Sequence, residues 1–409
     1  MNTSIKLISI DQLQMGMFIT EGNSEWVPNK NCSRKGMVNR AEVIEQIRAL
    51  GVKELYIDAS RGKDVQPAKA TKDKPGQLPD SAGALNAVTK TSTPLPTPKV
   101  PLAKEIENAK AMQSEATELI SRCMSDIKMG TALELAEFTD ISGRMIESLS
   151  QNYNALAYVT QLRQKDRYLM EHSFNVSVLM GILAHALGYS GETLQEMVAG
   201  ALLHDVGKIR IADEILHKPG KLLPEEWEEM KMHVTYGEEV LQNTPSITAI
   251  MLDICAQHHE RIDGGGYPRG LSGDEIPIHS RMAAVVDVYD AITAERVYHK
   301  GMAPTLALKK LMEWSTEGHL DPQLVRHFIH AMGVYPVGCV VELDKQKLAV
   351  VLEANPVEPK KPKVIQMYDL NIRRYVNKLA INLADERCGR HIVKAVYAES
   401  YGITLGDFI

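Results

Sequence analysis

The chain has 409 residues, 44% hydrophobic and 24% charged, a soluble globular composition. At about 100–200 residues per domain, two or three domains are expected. Its 46 Lys and Arg against 52 Asp and Glu give a net charge of −6, which excludes a chain-wide basic field for duplex nucleic acid. No membrane span is expected, because the longest apolar stretches, such as Val176 to Leu187, are too short and broken by Gly and His. The start lacks a signal-type apolar region, and Cys32, Cys123, Cys255, Cys339 and Cys388 form no CxxC pair. A disulfide framework and a thiolate zinc site are therefore disfavoured, and a cytoplasmic setting is expected.

In chain order, residues 1–62 predict a small α/β module. Ile5 to Ile10 has strand composition, and Met15 to Ile19 reads as a turn leading into a second strand. Asn39 to Glu42 suits a capping box for a helix with the stripe Val43, Ile44, Ile47 and Leu50, stopped by Gly51. Lys53 to Ile57 reads as a further strand. Sensing, docking or homodimer formation is its expected role, against plain packing. Residues 63–102 carry Pro67, Pro75, Pro79, Pro94, Pro96, Pro98 and Pro101 among small polar residues, the composition of a flexible linker. Residues 103–145 read as a helical connector, and helical patterns continue to about residue 333. The extension 334–409 changes character, with strand-like runs at Gly338 to Leu343 and Leu348 to Leu352. The expected fold class is mainly α, with α/β and β-containing ends.

Five helical pieces between residues 166 and 298 carry the chemistry. On the helix from Asp166 to Leu187, His172 shares a face with Leu169, Val176, Leu179, Leu183 and Leu187. A lone histidine on such a stripe is ordinarily a packed core residue. The next helix runs into His204-Asp205-Val-Gly-Lys208, and an ionisable pair in an apolar segment is costly without a partner. Imidazole plus carboxylate suits a borderline divalent metal, and Lys208 can face the same centre. A helix begun by Pro224 presents His233. His258 and His259 end another helix, before a glycine-rich turn expected to stay mobile. Asp287 sits in an otherwise apolar helix from Ser280 to Ala291.

Together these pieces offer His172, His204, Asp205, His233, His258, His259 and Asp287, all nitrogen or oxygen donors. The set is too large for one tetrahedral zinc and suits two ions bridged by Asp205, as in a helical-bundle metal site.

His204-Asp205 with the spaced histidines and Asp287 resembles the HD metal-dependent phosphohydrolase superfamily. His258-His259-Glu260, the loop Asp263-Gly-Gly-Gly-Tyr267-Pro268, and Asp287 to Tyr298 narrow the resemblance to its HD-GYP subfamily, over residues 146–333. Residues 1–62 resemble the small domain that precedes some HD-GYP domains. The resemblance implies an all-helical HD-type catalytic domain that hydrolyses cyclic dinucleotides, chiefly cyclic di-GMP, at an iron or manganese centre. Some members carry a Glu one turn before the first histidine. Tyr168 stands there in this chain, so two divalent transition-metal ions are expected rather than three. The family's RPY-plus-basic stretch appears as Arg296-Val-Tyr298-His299, followed by Lys300.

In this reading Asp205 bridges the metals and Lys208 neutralises phosphate charge. Arg296 holds the second phosphate, and Tyr298 and Tyr267 complete the substrate site. The product is linear pGpG, then GMP. A diguanylate cyclase (GGDEF) domain is the implied docking partner. The alternatives are a 3',3'-cyclic GMP-AMP phosphodiesterase, another HD nucleotidase, and a non-catalytic cyclic-dinucleotide receptor or docking protein. His185, His217, His279, His319, His327, His330 and His391 match no ligand position and are read as packing or surface residues.

Overall fold

The computed structural model describes residues 5–19, 36–40, 43–44, 47–48, 54–63, 95–96, 98–162, 168–294, 301–355, 357–396 and 401. Most of the Pro-rich stretch lies outside them. The chain divides into two compact units, Met1–Pro79 and Asp80–Ile409.

In the first unit, β1 (Ile5–Ser9), β2 (Phe18–Ile19), β3 (Gly36–Met37) and β4 (Glu54–Asp58) form an antiparallel sheet in the order β1-β4-β2-β3. Leu55 and Ile57, two apart on one face of β4, are fully buried with Ile8, Ile10, Met17, Ile19 and Val38. Residues 43–44 and 47–48 are helical, and Ile47 closes this core with Val43 and Ile44 beside it. The remainder of the expected helix lies outside the described residues. The two-residue strand β3 has too little pattern to be legible in sequence.

The second unit is a helical core carrying a sheet. Helices α1 (Leu102–Lys128) and α2 (Leu135–Val159) pair through the turn between them. Across that pair, the Ser148 hydroxyl donates to the buried Glu105 carboxylate at 2.5 Å, and Arg144 is ion-paired with Glu115. Helix α3 (Tyr168–Ala186) packs against α1 and α2, α4 (Gly191–Leu203), α9 (Ile278–Thr293) and α11 (Pro322–Met332). It therefore buries every side, not one stripe, which explains the near-continuous apolar run from Val176 to Leu183. After α4 come the short α5 (Asp213–Leu216), α6 (Pro224–Lys231), α7 (His233–Gln242) and α8 (Ala249–Gln257). The segment read as one helix from Pro224 is two, broken at Met232. Helix α10 (Pro304–Thr316) lies against α9 and α11.

The C-terminal sheet contains β5 (Val340–Leu343), β6 (Lys347–Glu353), β7 (Lys363–Asp369), β8 (Arg374–Asn382) and β9 (Ile392–Val396), in the antiparallel order β8-β7-β6-β5-β9. Strand alternation divides its apolar residues between two cores. Val340, Leu348, Val350 and Met367 join the helical core, while Val341, Leu343, Ala349, Val351 and Val364 form a separate cluster. Among the described residues, no helix is long and apolar enough to cross a membrane.

Candidate metal centre

Helix ends supply most of the donors. His204 caps α4 and Asp205 follows it. His233 opens α7, and His258 caps α8 with His259 beside it. His172 and Asp287 come from the interiors of α3 and α9. Three of the helix-end imidazoles use their own preceding turn. His204 Nδ1 donates to the Ala201 carbonyl at 2.6 Å, His233 Nδ1 to Met230 at 2.7 Å, and His258 Nδ1 to Cys255 at 2.9 Å. A carbonyl can only accept, so Nδ1 carries the proton and Nε2 keeps its lone pair for a ligand.

The seven predicted donors converge. His172, His204 and Asp287 form one group and His233, His258 and His259 another, the donor atoms of each lying within 4.8 Å of one another. Asp205 stands between them. Its Oδ2 is 3.4 Å from His204 Nε2 and 3.6 Å from His172 Nε2; its Oδ1 is 3.4 Å from His233 Nε2 and 3.9 Å from His258 Nε2. Each carboxylate oxygen thus faces a different group. His204 Nε2 and Asp205 Oδ1 are buried without a hydrogen-bond partner, a costly state for polar atoms that a cation would relieve. The donor set fits divalent metal binding.

The electrostatics agree. Burial lowers the pKa of His233 to about 3, reinforced by Lys208, and that of His259 to about 4; burial and the surrounding imidazoles hold His258 well below its usual range. Neutral imidazoles are the ligating form. His172 differs. Burial opposes its cation, but Asp287 at 3.0 Å from Nε2 and Asp290 at 2.7 Å from Nδ1 raise its pKa to about 9. Asp290 at Nδ1 orients the ring, so that Nε2 is the nitrogen facing Asp205 and Asp287. Burial disfavours the Asp205 carboxylate, yet the imidazoles and Lys208 hold its pKa well below the usual carboxylate value. The Lys208 ammonium pairs with Asp205 Oδ2 and remains partly exposed.

Backbone contact fixes the frame. A Cβ on Gly207 would stand 2.0 Å from the His233 carbonyl oxygen and 2.3 Å from Gly237 N, so only glycine lets the turn after Asp205 lie on α7. The glycine-rich loop is likewise contacted along its backbone. Glu260, 2% exposed, accepts from Arg269 N at 2.7 Å and Leu271 N at 3.0 Å. Tyr267 N donates to the His259 carbonyl at 3.2 Å, and a Cβ on Gly266 would meet Glu260 Cα at 2.5 Å. The loop therefore folds back on the histidine turn, bringing the Tyr267 ring within 4.7 Å of the His259 ring.

Arg296, Tyr298, His299 and Lys300 lie outside the described residues, as does the Tyr168 side chain. None of the histidines read as packing or surface residues belongs to the donor groups. His279 pairs with Asp253 at 3.1 Å. Sequence reasoning missed Asp290 and Glu260. Asp290 was open to the argument applied to Asp287, being an acid three residues on in the same apolar helix. Glu260 gave no signal beyond adjacency, because its partners are backbone groups of a loop.

A family model described as an HD domain matches residues 149–324, which contain all seven donors. A domain of unknown function, DUF3391, matches residues 5–138. A cyclic di-GMP phosphodiesterase of Pseudomonas aeruginosa is 37% identical over 350 residues, 85% of this chain and 82% of that protein. The chain belongs to the HD-GYP family of cyclic-dinucleotide phosphodiesterases. Within the family, a 3'3'-cGAMP-specific phosphodiesterase of Vibrio cholerae is 42% identical over 156 residues, 38% of this chain and 30% of that protein. The solved structure of an HD-GYP-type protein from Bdellovibrio bacteriovorus aligns with a TM-score of 0.46 at 18% identity, covering 79% of this chain and 98% of that one.

Proposed function

We propose that this chain hydrolyses cyclic di-GMP to linear pGpG and, more slowly, to GMP, using two divalent transition-metal ions, iron or manganese. The observation that carries this reading is Asp205, whose two oxygens face two separate groups of buried donors. His172, His204 and Asp287 would hold one ion, His233, His258 and His259 the other, with Asp205 shared. When bound, such a pair supplies Lewis acidity at the phosphate and a nucleophile from water near neutral pH. The chain's own residues do the rest. His204, His233 and His258, each held through Nδ1, would offer their Nε2 lone pairs to the ions, and Asp205 lies between the two donor groups. Lys208 is placed to neutralise developing phosphate charge. Tyr267 lines the mouth beside His259, and Arg296 and Tyr298 are assigned to the ligand's second phosphate and its surroundings. Water supplies the oxygen that bonds to phosphorus as the P–O bond to the ribose 3'-oxygen breaks, and the freed oxygen takes up the proton that water gives up, which opens the ring to pGpG.

The reading extends to a cytoplasmic setting and to a diguanylate cyclase (GGDEF) domain or a second copy of this chain as docking partner. Relatives named for both cyclic di-GMP and 3'3'-cGAMP match this chain, so the mixed dinucleotide is the second reading. Product analysis on both substrates, under anaerobic conditions with iron or manganese, tests the proposal. Cyclic di-GMP should give pGpG at the higher kcat/KM, with about two metal ions per chain. Turnover of neither substrate by metal-loaded protein would overturn it.

A further inference from the structure

The rim of the centre carries an aromatic residue that the proposed mechanism does not use. Trp227, on α6, is 46% exposed, and Leu223, one turn earlier, is 50% exposed. Large apolar groups left open beside a polar cleft commonly mark a contact surface. Trp227 is not isolated from the chemistry. Its ring meets the Tyr267 ring edge-to-face at 6.1 Å and 81°, and Tyr267 in turn lies 4.7 Å from the His259 ring and 6.5 Å from that of His233. An edge-to-face pair leaves at least one indole face uncovered by its mate. Lys231, one turn after Trp227, sets its ammonium 5.9 Å from the Tyr267 ring centroid while paired with Glu228 at 2.7 Å.

From the centre outward, the molecule therefore presents donors for metal ions, the Lys208 ammonium, a phenol, then an exposed indole with a second ammonium nearby. Phosphate-binding chemistry lies inside and flat π-surface outside, the order in which a nucleotide presents its phosphate and its base.

We propose that Trp227 is a substrate-binding residue that stacks a purine base of the cyclic dinucleotide while its phosphodiester occupies the centre, with Tyr267 buttressing the indole. The inference rests on the cyclic-dinucleotide reading above and deepens it. A base held on Trp227 orients the ring of the substrate without touching the reacting bond, so the residue acts on affinity more than on the chemical step.

The test is steady-state hydrolysis of cyclic di-GMP by metal-loaded full-length Trp227→Leu and Trp227→Phe protein, with metal content and circular dichroism measured alongside. Removing one stacking partner should raise KM about 5- to 100-fold in Trp227→Leu, a larger change than the fall in kcat. Metal content should stay at the wild-type level, and Trp227→Phe, which keeps a π-face, should recover most of the affinity. An unchanged KM in folded Trp227→Leu protein overturns the inference, as does an equal KM in the two variants. That result would leave the indole as a polypeptide contact or plain surface. The failure is distinct from that of the function itself, which would show as absence of turnover in the wild type.

Discussion

The helical centre and the C-terminal sheet bury side chains on opposite terms. Around Asp205 the interior holds His172, His204, His233, His258, Asp287 and Asp290, all below 6% exposed. Beneath the sheet, Val341, Leu343, Ala349, Val351 and Val364 are completely buried and carry no polar side-chain atom. Charged groups of that region pair toward the surface, as Lys363 does with Glu353 and Lys394 with Glu342. Burying ionisable groups costs stability unless they are paired or ligate a cation, so the helical interior gives up stability that the sheet retains. That contrast separates the part of the chain arranged around a ligand from the part arranged for packing.

The sharpest way to break the contrast is Asp205→Asn, which keeps the shape of the side chain and removes the charge both donor groups face. Turnover should fall by about 10³-fold or more, the scale of losing preorganised charge stabilisation, and bound metal should fall with it. Wild-type metal content with wild-type turnover would show that Asp205 is an ordinary buried partner of Lys208.

A smaller loss is expected from Asp290→Asn. The amide oxygen can still accept from His172 Nδ1, so ring orientation is kept while the second carboxylate charge is lost. Metal affinity should drop about 10- to 100-fold, the usual effect of altering a carboxylate behind a ligating histidine. Activity should recover toward wild type at saturating metal. Unaltered affinity by metal titration would leave Asp290 with a packing role alone.

The same contrast explains what the sequence made legible. His204-Asp205 and Asp287 stood out as ionisable residues inside apolar helical patterns, whereas His172, His233, His258 and His259 became legible only as members of a set matching the family's motif order. The strands β5 and β6 were equally readable, since Val340, Val341 and the run from Leu348 to Val351 are buried on both faces. By contrast, β8 could not be read. As an edge strand it exposes Arg374, Tyr375, Asn377, Lys378 and Leu379, so no alternation survives. Glu260 and Gly266 owe their roles to a loop folding back on the histidine turn, a tertiary contact that local pattern does not encode. The three glycines read in sequence as freedom, whereas the structure gives one of them, Gly266, a close backbone approach that requires it.

The smallest effect on chemistry belongs to the sheet. Val350 and Val351 are adjacent and both fully buried, yet alternation sends Val350 to the helical core and Val351 to the separate cluster. Val351→Ala removes two methyl groups from a core containing no donor. Transfer free energy plus the remaining cavity should cost about 2 kcal/mol, seen as a lower urea midpoint. Metal content, KM and kcat should not change in protein that remains folded, because the substituted side chain points away from the core in which the donors lie. Loss of bound metal in folded Val351→Ala protein would mean that the sheet helps hold α2 and α3 in place, and the division between a ligand-binding interior and a packing one would not stand.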